Sequence, residues 1–237
     1  MKKNSEFLSG VRDGVPIALA YFAVSFALGI TAGKIGFSAI QAFVASLTNN
    51  ASAGEYAAFS LIAVGSSFLE VAIVELITNA RYFLMAATLS QKFSGKTPFY
   101  HRLFIGFGLT DEIFAINVAR NGYLVPSYTY GAMAVALPSW ATGTALGVIV
   151  GDVLPAFAVS ALGVALYGMF ISIIVPPATK DKTLAVTVLI SFALSTLSEN
   201  LPFLSTVSSG IKMIILTVAI SLVAAIVKPV STEQDEK

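Results

Sequence analysis

The chain has 237 residues, of which 56% are hydrophobic and 11% charged, with a formal net charge of +1 and no cysteine; an average soluble domain carries roughly 25% charge. Charge-free runs of 20 residues (14–33), 31 (121–151) and 27 (153–179) match or exceed the roughly 20 apolar residues that cross a bilayer. These numbers exclude a soluble enzyme, a nucleic-acid binder, disulfide staples, thiolate metal sites and a cysteine nucleophile.

The fold class that follows is all-α, a polytopic transmembrane helical bundle. Lipid-exposed backbone must satisfy its own hydrogen bonds, and the runs are too long and continuous for barrel strands. In chain order, residues 1–13 form a cytoplasmic N-terminal segment, 14–227 a single transmembrane transporter domain and 228–237 a polar C-terminal tail. Met1-Lys2-Lys3 before an apolar run is read as an uncleaved first span rather than a secretory signal, because the apolar stretch is too long and further spans follow. Apolar segments lie near 14–33, 36–65, 66–90, 103–122, 128–150, 153–176, 184–200 and 203–227. Six or seven spans are expected from these eight, with one or two broken helices.

The first break is read at 46–55, where Ser46-Leu47-Thr48-Asn49-Asn50-Ala51-Ser52-Ala53-Gly54-Glu55 is too polar to face lipid and too weak in helix formers to continue a span. A second interruption is read at 195–202, ending in Pro202, which lacks a backbone donor. Interrupted hydrophobic segments point to a transporter's binding site; an ordinary turn at 198–202 is the alternative. Three Lys/Arg clusters, Lys2/Lys3/Arg12, Lys92/Lys96/Arg102 and Lys180/Lys182, are expected on the cytoplasmic side. That arrangement holds if 36–90 crosses a net odd number of times and 103–122 does not fully span. Gly106-Phe107-Gly108 weakens the latter segment, and Thr110-Asp111-Glu112 has the form of an N-cap with an acidic first turn.

Of the 27 charges, 16 fall at the ends and connectors, and Lys34, Arg120, Asp152 and Lys212 lie near span ends. Seven remain at membrane depth: Glu55, Glu70, Glu75, Arg81, Asp111, Glu112 and Glu199. An intramembrane ionisable group is costly unless paired or hydrated, so each is a candidate functional residue. On a continuous 66–90 helix, Glu75, Asn79 and Tyr82 share one face and Glu70 and Arg81 another, with Glu70 and Arg81 too far apart to pair and each expected to meet another helix. The alternative for the whole set is satisfied interhelical contacts without a transport role.

The only histidine, His101, falls in the basic 92–102 connector and is expected to be a solvated loop residue. Gly143, Gly147 and Gly151 form a small-residue stripe read chiefly as helix packing. No metal centre, cofactor or catalytic group is expected: intramembrane serine and metalloproteases need histidine at depth, and an Asp111/Asp152 pair has no accompanying motif.

Several elements together carry a resemblance to a known family: Gly10-Val11-Arg12-Asp13-Gly14-Val15-Pro16-Ile17 leading into Phe26-Ala27-Leu28-Gly29, Gly36-Phe37-Ser38, Asn79-Ala80-Arg81-Tyr82, Leu109-Thr110-Asp111-Glu112-Ile113-Phe114-Ala115, and Trp140 with the glycines after it. From about Phe7 to Pro229 the chain resembles the AzlC (YgaZ-like) family of branched-chain amino acid permeases. The Asn-x-Arg-Tyr and Thr-Asp-Glu-x-Phe elements are the specific ones. One departure is Ser52-Ala53-Gly54-Glu55-Tyr56, where the family usually reads a small-residue run ending in Gln-Phe. The resemblance implies an inner-membrane exporter of branched-chain amino acids, working with a small AzlD-type membrane subunit.

The expected function is therefore a multi-pass, proton-coupled secondary transporter of the cell membrane, exporting small apolar amino acids. Asn49, Asn50 and Gly54 would supply backbone contacts at the break, Glu55 or Glu75 would take the substrate ammonium or a transported proton, and Asn79, Arg81, Asp111 and Glu112 would align or gate the site. The alternatives are a non-transporting structural or regulatory subunit of a membrane complex and a passive channel for small solutes.

Overall fold

The structure, a computed structural model, describes residues 2–151, 181–201 and 209–228 without interruption, together with 153–155, 157, 158, 161, 164, 171, 174, 175, 178, 179 and 207. Among the described residues the secondary structure is helical, with no strand. In chain order the elements are α1 (Lys2–Lys34), α2 (Ala39–Thr48), α3 (Ser52–Ala63), α4 (Phe68–Thr78), α5 (Arg81–Gln91), α6 (Phe99–Phe107), α7 (Asp111–Val118), α8 (Pro126–Gly151), α9 (Lys182–Asn200) and α10 (Ser209–Val227). Two compact units emerge, Met1–Phe59 with Thr78–Leu166, and Ser60–Ile77 with Tyr167–Lys237.

Three described helices are long and apolar enough to cross a membrane: Ser5–Lys34 within α1, α8, and α9. Three apolar segments are pairs of short helices, two of them broken at the expected places, 36–65 at its polar interruption and 103–122 at its cap, while the single helix expected over 66–90 is also divided. The 36–65 stretch breaks between Thr48 and Ser52, where Asn49 and Asn50 are weak helix formers and Asn49 leaves the helical region at φ −117°, ψ 88°. The 103–122 stretch breaks at Gly108-Leu109-Thr110, with Thr110 extended and its Oγ1 accepting from the Ile113 N–H at 3.3 Å. This is the N-cap expected from Thr110-Asp111-Glu112.

The 66–90 stretch tightens at Asn79-Ala80, where Tyr82 and Phe83 N–H donate three residues back, to Asn79 O at 3.0 Å and Ala80 O at 3.1 Å. The 3₁₀ tightening ends the 3.6-residue period, so the shared helical faces expected for Glu75, Asn79 and Tyr82, and for Glu70 and Arg81, do not carry through. The interruption read at 195–202 sets in later, because α9 continues helically through Asn200 and stops at Leu201, within the 198–202 turn given as the alternative. Pro202, Asp152 and most of 153–176 lie outside the described residues.

The first unit is organised by α1 and α8, which run parallel. A Cβ on Gly10 would strike the Tyr128 carbonyl, and one on Gly29 the Thr144 carbonyl; from the other side, Gly131 faces the Phe7 carbonyl and Gly147 the Phe26 carbonyl. Residue numbers rise together along both helices, which fixes the direction. Small residues let the backbones approach where lipid offers no hydrophobic drive for association. The glycine stripe is thus a packing surface, as expected.

One end of this pair is tied down by the charges at the start of the chain. Arg120 pairs with Glu6 at 2.8 Å and lies over the Tyr128 ring at 3.9 Å from its centroid, while Tyr128 donates to Asp13 at 2.7 Å. Lys92 Nζ donates to the carbonyls of Asn117, Val118 and Arg120, capping the C-terminal end of α7. His101 corrects its expected place: the connector ends at Pro98, the N-cap of α6, so His101 sits on a helix, half-buried, with Nδ1 2.8 Å from the Tyr130 hydroxyl.

In the second unit, Glu70 takes up a local task. Its Oε2 accepts from the Ser67 N–H at 2.9 Å and the Ser67 Oγ at 3.2 Å, and Ser67 Oγ accepts from the Glu70 N–H, a reciprocal cap at the start of α4. Asp181 caps α9 through Thr183 N–H at 2.8 Å and pairs with Lys228 at 2.9 Å. The Lys228 ammonium, with the backbone N–H, holds the Asp181 carboxyl below the usual carboxylate range.

Replacing Gly147 with Leu forces a side chain into the Phe26 carbonyl, and overpacking of this kind costs about 1–3 kcal/mol or more. The expected result is loss of the monodisperse peak in detergent gel filtration. Gly106→Ala, where a Cβ meets nothing within 4 Å, should leave the peak intact and the melting temperature equal or higher, as helix propensity dictates.

Candidate functional site

The two broken segments of the first unit are helical hairpins that enter from opposite ends. α2 begins just after α1 ends and runs inward; α3 returns, because Phe59 packs on Phe37 in the α1–α2 connector with ring centroids 5.3 Å apart. α6 begins beside Tyr130 near the start of α8 and runs inward until Gly108 meets Met133 and Leu137; α7 returns, with Asn117 Oδ1 accepting from Thr129 Oγ1 at 2.6 Å. A ten-residue helix such as α2 covers about 15 Å, half of a hydrocarbon core of about 30 Å. Both turns therefore reach the middle of α8.

The turn of α2–α3 carries Glu55, which is 1% exposed. Its Oε1 accepts from Ser46 Oγ and its Oε2 from Trp140 Nε1–H at 2.7 Å. Ser46 Oγ also lies 2.6 Å from Thr144 Oγ1. A buried carboxylate is tolerable only with such donors. Asn49 caps the end of α2 through its N–H to Ala45 O, and Gly54 is buried in the first turn of α3. Asn50 Nδ2 donates to Leu47 O at 3.4 Å, and its buried Oδ1 accepts no hydrogen bond from the described residues.

The turn of α6–α7 carries Asp111 and Glu112 in the first turn of α7, where negative charge suits the helix dipole. Asp111 Oδ2 pairs with Arg81 Nη2 at 2.7 Å, and Glu112 Oε2 accepts from the Tyr21 hydroxyl at 2.5 Å. Tyr21 and Trp140 meet edge to face, ring centroids 5.5 Å apart. The two aromatic residues of α1 and α8 thus stand between the hairpin turns, Trp140 holding Glu55 and Tyr21 holding Glu112.

Of the residues expected to form the site, Asn49, Asn50, Gly54 and Glu55 gather at one turn and Arg81, Asp111 and Glu112 at the other. Asn79 lies in the turn that opens α5, and its carbonyl accepts from Tyr82. Glu75 lies on α4, in the second unit. Tyr21, Ser46, Trp140 and Thr144 escaped the sequence reading as site residues. Their partners lie 85 to 98 positions away or, for Tyr21, 91 positions away, and the one available signal was a hydrogen-bonding group inside an apolar run.

A family model described as AzlC protein matches residues 16–154, a stretch that contains both hairpin turns. An uncharacterized membrane protein of Archaeoglobus fulgidus is 31% identical over 180 residues, covering 74% of this chain and 78% of its own. Inner membrane protein YgaZ of Escherichia coli is 28% identical over 200 residues, 81% of each chain. Branched-chain amino acid transport protein AzlC of Bacillus subtilis is 26% identical over 189 residues, 77% of this chain and 73% of its own. No solved structure matches the chain.

The Arg81–Asp111 pair is half-exposed, so its coupling should be modest, about 0.5–1 kcal/mol. Arg81→Gln and Asp111→Asn are each expected to lower the melting temperature in detergent, and the double variant to lose less than their sum. Strict additivity would show that the two side chains do not interact.

Proposed function

The chain belongs to the AzlC protein family of membrane proteins, and on that premise we propose that it is a multi-pass transporter of the cell membrane that exports branched-chain amino acids in exchange for protons. The observation that carries the reading is the pair of half-helix hairpins that enter from opposite ends and bring Glu55 and Glu112 to the middle of α1 and α8. A zwitterion needs acceptors for its ammonium and donors for its carboxylate. Half-helix ends provide both, free N–H at one terminus and free carbonyls at the other.

In this mechanism the substrate lies between the two turns. Its ammonium is taken by Glu55 and the Asn50 Oδ1, its carboxylate by N–H groups at the start of α3 or α7, and its side chain by the aromatic faces of Tyr21 and Trp140. Glu55 is the protonatable group whose charge changes during the cycle, with Glu75 the alternative. Arg81 and Asp111, joined across α5 and α7, lock the α6–α7 turn and release it when that hairpin moves. Each hairpin closes one end of the path, so the two need to yield in alternation. Lys2, Lys3, Arg12, Lys92, Lys96 and Arg102 belong to the end at which α1 and α8 both begin, and the positive-inside rule makes that end cytoplasmic. The small AzlD-type subunit is the proposed partner, as branched-chain export in this family implies.

In proteoliposomes loaded with radiolabelled leucine or valine, efflux should accelerate when the proton gradient opposes the solute flow. Glu55→Gln should keep the fold and abolish that dependence, reducing gradient-driven efflux at least about tenfold, equivalent to one charge-assisted interaction. Unchanged gradient dependence in Glu55→Gln together with its loss in Glu75→Gln would transfer the proton role to α4. Wild-type vesicles that move no amino acid, with or without the small subunit, would overturn the transport reading.

A further inference from the structure

The second unit has a cleft of about 320 Å³ between α9 and α10, and its chemistry is unlike that of the helices around it. Lys212 on α10, its side chain only 10% exposed, approaches Glu199 on α9 at 3.5 Å, and the Glu199 side chain is 62% exposed. A nearly buried ammonium and an accessible carboxylate thus stand side by side at the cleft.

The walls supply a matching set of acceptors. Thr187, Ser191 and Ser198 line the cleft, and each commits its hydroxyl proton to a carbonyl of its own helix, Thr183 O at 2.8 Å, Thr187 O at 2.8 Å and Ser195 O at 2.8 Å respectively. A hydroxyl whose proton is spent in this way offers only lone pairs. Thr217 and Ser221 face the same space from α10, and Met213, Leu216 and Ile220 supply apolar wall beside them.

From this arrangement we propose that the α9–α10 cleft is a second binding site for a small zwitterionic α-amino acid. Its carboxylate is held by Lys212, its ammonium by Glu199 and the hydroxyl lone pairs, and its side chain by Met213, Leu216 and Ile220. Charges of opposite sign at adjacent positions are the complement of a zwitterion, and the ligand replaces the long Lys212–Glu199 contact with two shorter ones. The volume falls within the range of small-ligand pockets, roughly 300–1,000 Å³. The choice of leucine as probe rests on the branched-chain reading above; the site itself rests on Lys212, Glu199 and the hydroxyl set.

The test is equilibrium binding of radiolabelled leucine to the full-length purified protein, with the fluorescence of Trp140 read in parallel. Trp140 is the only tryptophan in the chain and touches Glu55 in the first unit, so its emission follows that unit's site separately. Wild type should bind two leucines per chain. Lys212→Met should bind one, with affinity at the second site weakened at least about tenfold by loss of the charged donor and the Trp140 response retained; Glu199→Gln should do the same. Lys212→Arg, which keeps the charge, should restore the second leucine and thereby separate lost binding from lost folding. One leucine per wild-type chain with efflux intact, or two in Lys212→Met, would overturn the second site alone. Neither binding nor efflux would overturn both this site and the transport reading.

Discussion

Everything in the first unit depends on how closely two backbones approach. α1 and α8 contact each other through carbonyl oxygens and glycine Cα positions, at Gly10, Gly29, Gly131 and Gly147. In hydrocarbon, apolar side chains gain little by leaving lipid for each other, so association relies on close packing and polar contacts. The same seam carries Ser139 Oγ donating to the Ala18 carbonyl at 2.6 Å, next to Trp140 and Tyr21. Because the seam is closely packed, it places those two rings where the hairpin turns arrive. The polar groups at those turns then find partners on the seam itself.

The hairpins solve a problem that full-length spans do not have. A helix that ends halfway through a bilayer leaves its terminal N–H and C=O groups without helical partners, in a place where water is scarce. Thr110 takes one such N–H at the inner start of α7, while at the outer end of the same hairpin Lys92 takes three carbonyls. Ser38 and Gln41 close a reciprocal cap at the start of α2, with Gln41 Oε1 accepting from the Ser38 N–H at 2.9 Å. The acidic first turns of α3 and α7, Glu55 and the Asp111/Glu112 pair, place negative charge where the helix dipole is positive. Charge that looks extravagant in a membrane is thereby matched, partly by dipoles and partly by Trp140, Tyr21 and Arg81.

The helical membrane class was legible from charge-free runs alone, and the α2–α3 break from two consecutive asparagines followed by small polar residues. The α6–α7 cap was legible from Thr110 and its acidic neighbours. The tightening at Asn79-Ala80 was not, because no glycine or proline marks it, Glu75, Asn79 and Tyr82 fit one face of a continuous helix, and the change is a local shift from four-residue to three-residue hydrogen bonds. Glu70 shows a different limit: its position suggested a partner on another helix, yet a serine three residues earlier makes it a cap. Tyr21, Ser46, Trp140 and Thr144 show the largest limit, since their meaning lies in contacts spanning 85 to 98 positions, apart from the nearer Ser46–Glu55 contact, and no local period encodes such pairings.

The parallel seam also has a consequence in time. α1 ends at Lys34 and its partner is complete only at Gly151, and ribosomes add about 5–20 residues per second. The glycine stripe of α1 therefore waits on the order of ten seconds at that rate before its mate is made. During that interval the α2–α3 and α6–α7 hairpins have only the α1 half of their central wall to lie against. Early insertion must tolerate a first helix with an uncovered groove, and the assembly of the whole unit is gated by the arrival of α8.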